Sequence, residues 1–158
     1  MTHKSLQLRL YPDSVLRAKA LPVGDVDGAV RVLMKAMTRL VRRYQGIGLA
    51  APQVGIAQRV IIAEIGEELI ALANPEICAP EGEEGLREGC LSLPNIQVDV
   101  RRAHAVVVRG LGADGREVEQ EVRGLPARVI QHEIDHLNGV LIIDHGPAVV
   151  TIEGDQHG

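Results

Sequence analysis

Apolar residues recur along this chain in two rhythms. Val26, Val30, Leu33, Met34, Met37, Leu40, Val41 and Tyr44 follow one another at helical spacing, which predicts a long amphipathic helix near the N-terminus. Asp25 is its expected cap, and Arg42 and Arg43 stand where the negative end of the helix dipole favours cations. A second helical pattern covers residues 126 to 138. On its wheel Val129, His132, Glu133 and His136 share one sector, Ile130, Ile134 and Leu137 a second, and Arg128, Gln131, Asp135 and Asn138 a third. These read as a chemical face, a core face and a wet face. Pro126 suits a first turn and Gly139 a left-handed stop. With two faces to bury, this helix belongs in the middle of the fold.

Elsewhere the rhythm shortens to that of strands. Residues 6 to 11 alternate, and Pro12-Asp13-Ser14 then reads as a turn leading into one helical turn through Arg17. Short apolar runs at 59 to 64 and 69 to 73 pair across Gly66, the second ending at Asn74-Pro75, and residues 80 to 85 form a polar loop. Residues 96 to 100 alternate, and 104 to 111 and 116 to 122 flank Asp114-Gly115, a hairpin signal. Residues 141 to 144 read as a last buried strand, followed by a tail, 145 to 158, that is weakly β-like at 149 to 152. The expected fold is α+β: short mixed or antiparallel sheets wrapped around a central metal-binding helix, in a single domain, 1–158, with its core at about 8–144.

Composition narrows the choices. At 158 residues the chain can bury one substantial core, and with no Phe, no Trp and two Tyr that core is aliphatic. A net charge of −4 argues against a specific nucleic-acid partner. No run approaches the roughly 20 apolar residues of a membrane span. The first residues lack a signal peptide's apolar stretch, so the expected location is cytoplasmic. Two thiols in such a chain are more often buried, catalytic or metal-binding than bridged; Cys78 reads as a core thiol.

The chemistry gathers on the second helix. His132 and His136 are four apart and so lie on one face, with the Glu133 carboxylate beside them. By itself H-E-x-x-H is also compatible with two polar histidines on a half-exposed face. A catalytic zinc or iron needs a third protein ligand, and Cys90, in Gly89-Cys90-Leu91, is the best candidate. Gly46-Ile47-Gly48-Leu49-Ala50-Ala51-Pro52-Gln53 strips away side chains and lets the backbone approach something closely. It has neither the ending of a phosphate-binding loop nor the spacing of a dinucleotide fingerprint.

Gly46 to Gln53, Glu88-Gly89-Cys90-Leu91-Ser92 and His132-Glu133-Ile134-Asp135-His136 resemble, in order and separation, the three signature motifs of the peptide deformylases. Residues 12 to 17, Asn74-Pro75, Asp114-Gly115 and Gln131 also fit, and the likeness spans roughly residues 8 to 144. The resemblance implies a metal-dependent hydrolase that removes the formyl group from N-formylmethionyl nascent peptides and releases formate. It makes Cys90, His132 and His136 the ligands of one divalent metal, Fe2+ or Zn2+, with water as the fourth. That water attacks the formyl carbon while Glu133 serves as general base and then acid, and the Gln53 amide and the Leu91 N–H receive the developing oxyanion. Gly46, Ile47, Gly48, Leu86, Glu88, Gly89, Leu125 and Val129 then surround the substrate, with Glu88, near Arg101 and Arg102, bracing the cysteine loop. Many relatives end in a basic helix thought to dock on the ribosome. Here the tail is short and leans acidic, so transient ribosome contact loses that support.

Two other classes share parts of the pattern. A zinc peptidase would take its third ligand downstream of His136, where only His145 and His157 remain among histidines. A structural metal site would need neither Glu133 nor Gln53.

Overall fold

The computed structural model describes residues 6–151. Its helices are α1 (Gly28–Arg43) and α2 (Leu125–Leu137). Its strands are β1 (Gly48–Ala50), β2 (Val60–Ile65), β3 (Glu68–Glu81), β4 (Glu84–Cys90), β5 (Leu93–Arg102), β6 (Ala105–Leu111), β7 (Glu117–Arg123) and β8 (Ala148–Val150). One sheet runs β1-β2-β3-β6-β7 and a second β4-β5-β8, with every ladder antiparallel. Among the described residues the parallel component shrinks to an isolated bridge between Leu21 and Gln58. The fold is α+β with antiparallel sheets.

β2 explains the layering. Val60 and Ile62 pack into the cluster that holds α1, while Ile61 and Ala63 pack into the one that holds α2. Alternate residues of a strand face opposite ways, so an unbroken apolar run means that both faces are covered. On α1 Leu33, Met37 and Val41 are fully buried. Each contributes on the order of 1.5–3 kcal/mol by leaving water, which lets an aliphatic core do without aromatic rings. The helix begins later than its pattern predicts: Asp27, not Asp25, caps it, accepting from the Val30 N–H at 3.0 Å. Either aspartate suits by type. A third cluster joins Leu16, Cys90, Leu93, Val98, Val100, Leu141 and Ile142 behind the smaller sheet.

Several segments depart from the sequence reading. Residues 6 to 10 form no strand; the segment instead crosses two loops, with Arg9 N–H donating to Gln53 O and Tyr11 N–H to Ser92 O. Asn74-Pro75 does not end β3, which continues to Glu81 beyond a register shift between Ala73 and Glu76. Asn74 takes a φ of 52°, which asparagine tolerates, and proline's missing N–H falls at the irregularity. Gly110 on β6 allows the close approach, since a Cβ there would stand 3.0 Å from Ala73 O. The polar loop at 80 to 85 contracts to Gly82 and Glu83 between β3 and β4. Ile142–Asp144 is a 3-10 turn instead of a strand, because the Asp144 carboxylate turns back to accept the Leu141 N–H. Cys78 is half-buried instead of core. The weakly β-like stretch of the tail forms β8, one residue earlier than expected, which pairs with β5 through Ile96, Gln97 and Val98. Ile152 of the β-like stretch lies outside the described residues. Among those described, no helix is long and apolar enough to cross a membrane.

The Asn74 side chain also clips the segment before α1 to the sheet, accepting from Val23 N–H and donating to Val23 O, both at 2.8 Å. Asn74→Ala removes both bonds and leaves a Cβ residue at positive φ. We expect a loss of about 2 kcal/mol, read as a lower urea midpoint with an unchanged slope. A wild-type midpoint would contradict the clip.

Candidate metal centre

α2 carries most of the centre. Gly124 precedes it at a φ of 66°, Pro126 occupies its first turn, and Asn138 caps its end before Gly139, at a φ of 74°, turns the chain away. A Cβ on Gly139 would lie 2.6 Å from Arg17 O, so a close approach adds to the conformational reason for glycine. Ile130 and Leu137 are fully buried on the core face.

Of the face expected to be wet, Asn138 is exposed, but the rest turns toward protein. Arg128 is buried, donating to Glu88 Oε2 at 2.6 Å and to Val100 O at 2.9 Å. Gln131 exchanges two hydrogen bonds with the Ala103 backbone, and Asp135 receives Arg102. Helical periodicity distinguishes polar from apolar faces, but it cannot tell water from a polar neighbour. Here the neighbours are β4, β5 and the residue that follows β5.

Cys90 comes from the far end of β4, where a register shift after Glu88 turns the thiol inward. Its Sγ lies 3.3 Å from His136 Nε2, and the three donor atoms of Cys90, His132 and His136 lie within 4.8 Å of one another. Tetrahedral bonds of about 2.0–2.3 Å bring ligand atoms roughly this close. The two imidazoles stand 5.1 Å apart, tilted by 58°.

The histidines are held unequally. His132 Nδ1 donates to Glu88 Oε1 at 2.9 Å, leaving Nε2 on the side of the Cys90 thiol. This matches a metal-binding histidine, whose outer N–H is given to a carboxylate. Among the described residues, His136 Nδ1 and Glu133 Oε1 are buried without a hydrogen-bond partner. A buried carboxylate oxygen aimed at nothing is costly, and beside a thiol and two imidazoles it marks a site built for a further group. A divalent metal fits this donor set.

Burial and the neighbouring charges shift four groups of the centre. Burial, helped by the charges of Glu88 and Asp135 and opposed by His132 and Arg102, pushes the Glu133 carboxyl up to about 7. Burial would also raise Glu88, but the hydrogen bonds from His132 and Arg102 outweigh it and hold that carboxyl well below the ordinary range. For His132, burial is outweighed by the charge of Glu133 and by bonds to Cys90 and Glu88, so its pKa lies well above the usual value. His136, buried and facing the His132 and Arg102 charges, falls well below it.

In front of these groups lies a cavity of about 320 Å³. Ile47, Gly48, Gln53, Leu86, Glu88, Gly89, Leu91, Leu125 and Val129 all line it, as do Cys90, His132 and Glu133. Gly46 does not; it stands against the Leu91 side chain instead. Arg87, Gln97 and Arg128 also line it, and no local motif singled them out. The Gln53 amide is fixed at both ends: Oε1 accepts from Ala50 N–H at 2.9 Å, while Nε2 reaches Ser92 Oγ at 3.1 Å and Cys90 Sγ at 3.7 Å. A Cβ on Gly48 would lie 2.5 Å from Glu133 Oε2 and 2.7 Å from Val129 Cγ1, so only glycine lets β1 come this close to α2. Among the described residues β1 and β4 are both edge strands, and both border the cavity.

The sequence and the fold have close counterparts. Residues 5–150 match the model of the polypeptide deformylase family. The peptide deformylase of Thermodesulfovibrio yellowstonii is 45% identical over 144 residues, covering 88% of this chain and 87% of that one. The crystal structure of peptide deformylase from Thermotoga maritima superposes with a TM-score of 0.87 at 43% identity, over 92% of this chain and 100% of that one. A peptide deformylase of Acinetobacter baumannii, solved with Met-Ala-Ser bound, gives a TM-score of 0.84 at 34% identity, over 90% of this chain and 99% of that one. With the match running through all three elements that build the centre, the chain belongs to the peptide deformylase family.

Proposed function

We propose that this chain hydrolyses the formyl group from peptides that begin with N-formylmethionine, giving formate and a free amino terminus. The observation that carries the reading is the meeting of Cys90, His132 and His136 with the unpartnered Glu133 oxygen at the end of a cavity between two strand edges. Cys90 Sγ and the two imidazoles would hold one divalent metal. Thiolate with imidazole suits Fe2+ and Zn2+ alike. When bound, such a metal polarises a carbonyl and acidifies water.

The rest falls to the chain's own groups. Glu133, with a pKa pushed up to about 7, can take a proton from water and return it to the departing amine. Gln53 Nε2, held by its neighbours, and the Leu91 N–H act as donors to the oxygen that gains charge as the formyl carbon becomes tetrahedral. An extended peptide finds unpaired strand edges on both sides, β1 at Gly48 and β4 at Leu86 to Gly89. Ile47, Leu86, Leu125 and Val129 supply an apolar wall for the methionine side chain. The Acinetobacter enzyme's Met-Ala-Ser is the kind of peptide that removal of a formyl group would leave. The site as a whole lies in one catalytic domain.

Formyl-Met-Ala-Ser should release formate rapidly, whereas acetyl-Met-Ala-Ser, with one more methyl beside Glu133, should turn over at least about tenfold more slowly. Internal cleavage of an unformylated peptide at a comparable rate would replace this reading with that of a peptidase. Glu133→Ala should keep its metal yet lose at least about 10²-fold in kcat, the usual effect of removing a general acid–base group. A wild-type kcat in that variant would remove Glu133 from the chemistry.

A further inference from the structure

Behind His132 a line of polar contacts runs out to the surface. Glu88 Oε1 takes the His132 Nδ1–H at 2.9 Å. Arg102 grips both Glu88 oxygens, Nε at 2.6 Å and Nη2 at 2.9 Å. The remaining nitrogen of that guanidinium, Nη1, donates to Asp135 Oδ2 at 2.9 Å, and His145 Nε2 reaches the same oxygen at 3.0 Å. An ionised carboxylate only accepts, so His145 is the donor. Side-chain exposure falls from 28% at His145 to 4% at Arg102, so the line leads from solvent into the core.

His145 is held from behind. Its N–H bonds to Ile142 O, closing the 3-10 turn, and the preceding Asp144 is paired with Arg17. Leu141 and Ile142 pack in the same cluster as Cys90, Leu93 and Val98. Among the described residues, Arg102 and His145 are the side-chain partners of Asp135. Arg128 also reaches Glu88, but it bonds to the Val100 and Glu84 carbonyls instead of Asp135. A guanidinium is a rigid plane, so fixing Nη1 fixes the directions in which Nε and Nη2 meet Glu88.

We propose that His145 is a positioning residue for the metal centre: its bond to Asp135 sets the plane of Arg102 and, through Glu88, the orientation of the His132 ring. The inference rests on the reading of Cys90, His132 and His136 as ligands. Removing the outer partner of a metal-binding histidine costs about 10–100-fold in metal affinity. His145 acts three links further out than Glu88, so the effect should be smaller.

The test is the rate at which the full-length protein, loaded with Zn2+, releases it to an excess of chelator. His145→Ala should release Zn2+ about 3–10-fold faster than wild type, a fraction of the direct effect. His145→Gln, whose side-chain N–H can still reach Asp135, should restore most of the difference. In the Co2+-substituted protein, His145→Ala should shift the visible absorption bands, which a loss of general stability would not do. In an Asp135→Ala background the His145→Ala change should add nothing. Wild-type release from His145→Ala, equal release from the Ala and Gln variants, or a full further acceleration in the Asp135→Ala background would each overturn the proposal. A wild-type protein that retains no Zn2+ would instead overturn the metal reading on which it rests.

Discussion

A buried carboxylate holds the centre together. Glu88 lies under Arg102, Arg128 and His132, and these come respectively from β5 and two turns of α2, while Glu88 itself belongs to β4. Burying a charge is costly unless it is paired and hydrogen-bonded, and breaking such a cluster at one member typically costs about 3–5 kcal/mol. The cluster therefore ties the smaller sheet to the helix at the point where Cys90 must meet His132 and His136. Only Gly89 separates Glu88 from Cys90, so the position of the thiol follows from where Glu88 is anchored.

The larger sheet approaches the same helix by a different means. β1 reaches α2 because Gly48 has no side chain, which brings its backbone against Glu133 and Val129. What remains between β1 and β4 is the cavity, walled by two unpaired strand edges and floored by the helix. Removal of water from that floor is what raises the proton affinity of Glu133.

Local patterns in the sequence reach part of this. Pro126 and Gly139 bracket α2, Asp114-Gly115 joins β6 to β7, and His132 and His136 fall on one face, because each signal lies within a few residues of its effect. Cys90 was accessible because few other ligand types stand near it. The cluster that orders these parts is legible only in part: Glu88 beside Arg102 can be read from the sequence, but Arg101 pairs with Glu83 instead, and Arg128 looks like any surface arginine until β4 and α2 are side by side. The same holds for Asn74, whose clip to Val23 spans 51 positions, and for His145, whose bond to Asp135 forms only where the turn after α2 folds back on the helix. Ile142–Asp144 misled in the opposite direction, as a short apolar run that a single aspartate turns into a 3-10 turn.

The account stands on Cys90, His132 and His136 acting as one set of ligands. Metal analysis of anaerobically prepared protein, wild type beside Cys90→Ala, addresses this most directly, because three ligands leave no redundancy. One divalent metal per chain in the wild type and a large loss in the variant are predicted. Full occupancy in folded Cys90→Ala would contradict the centre described here.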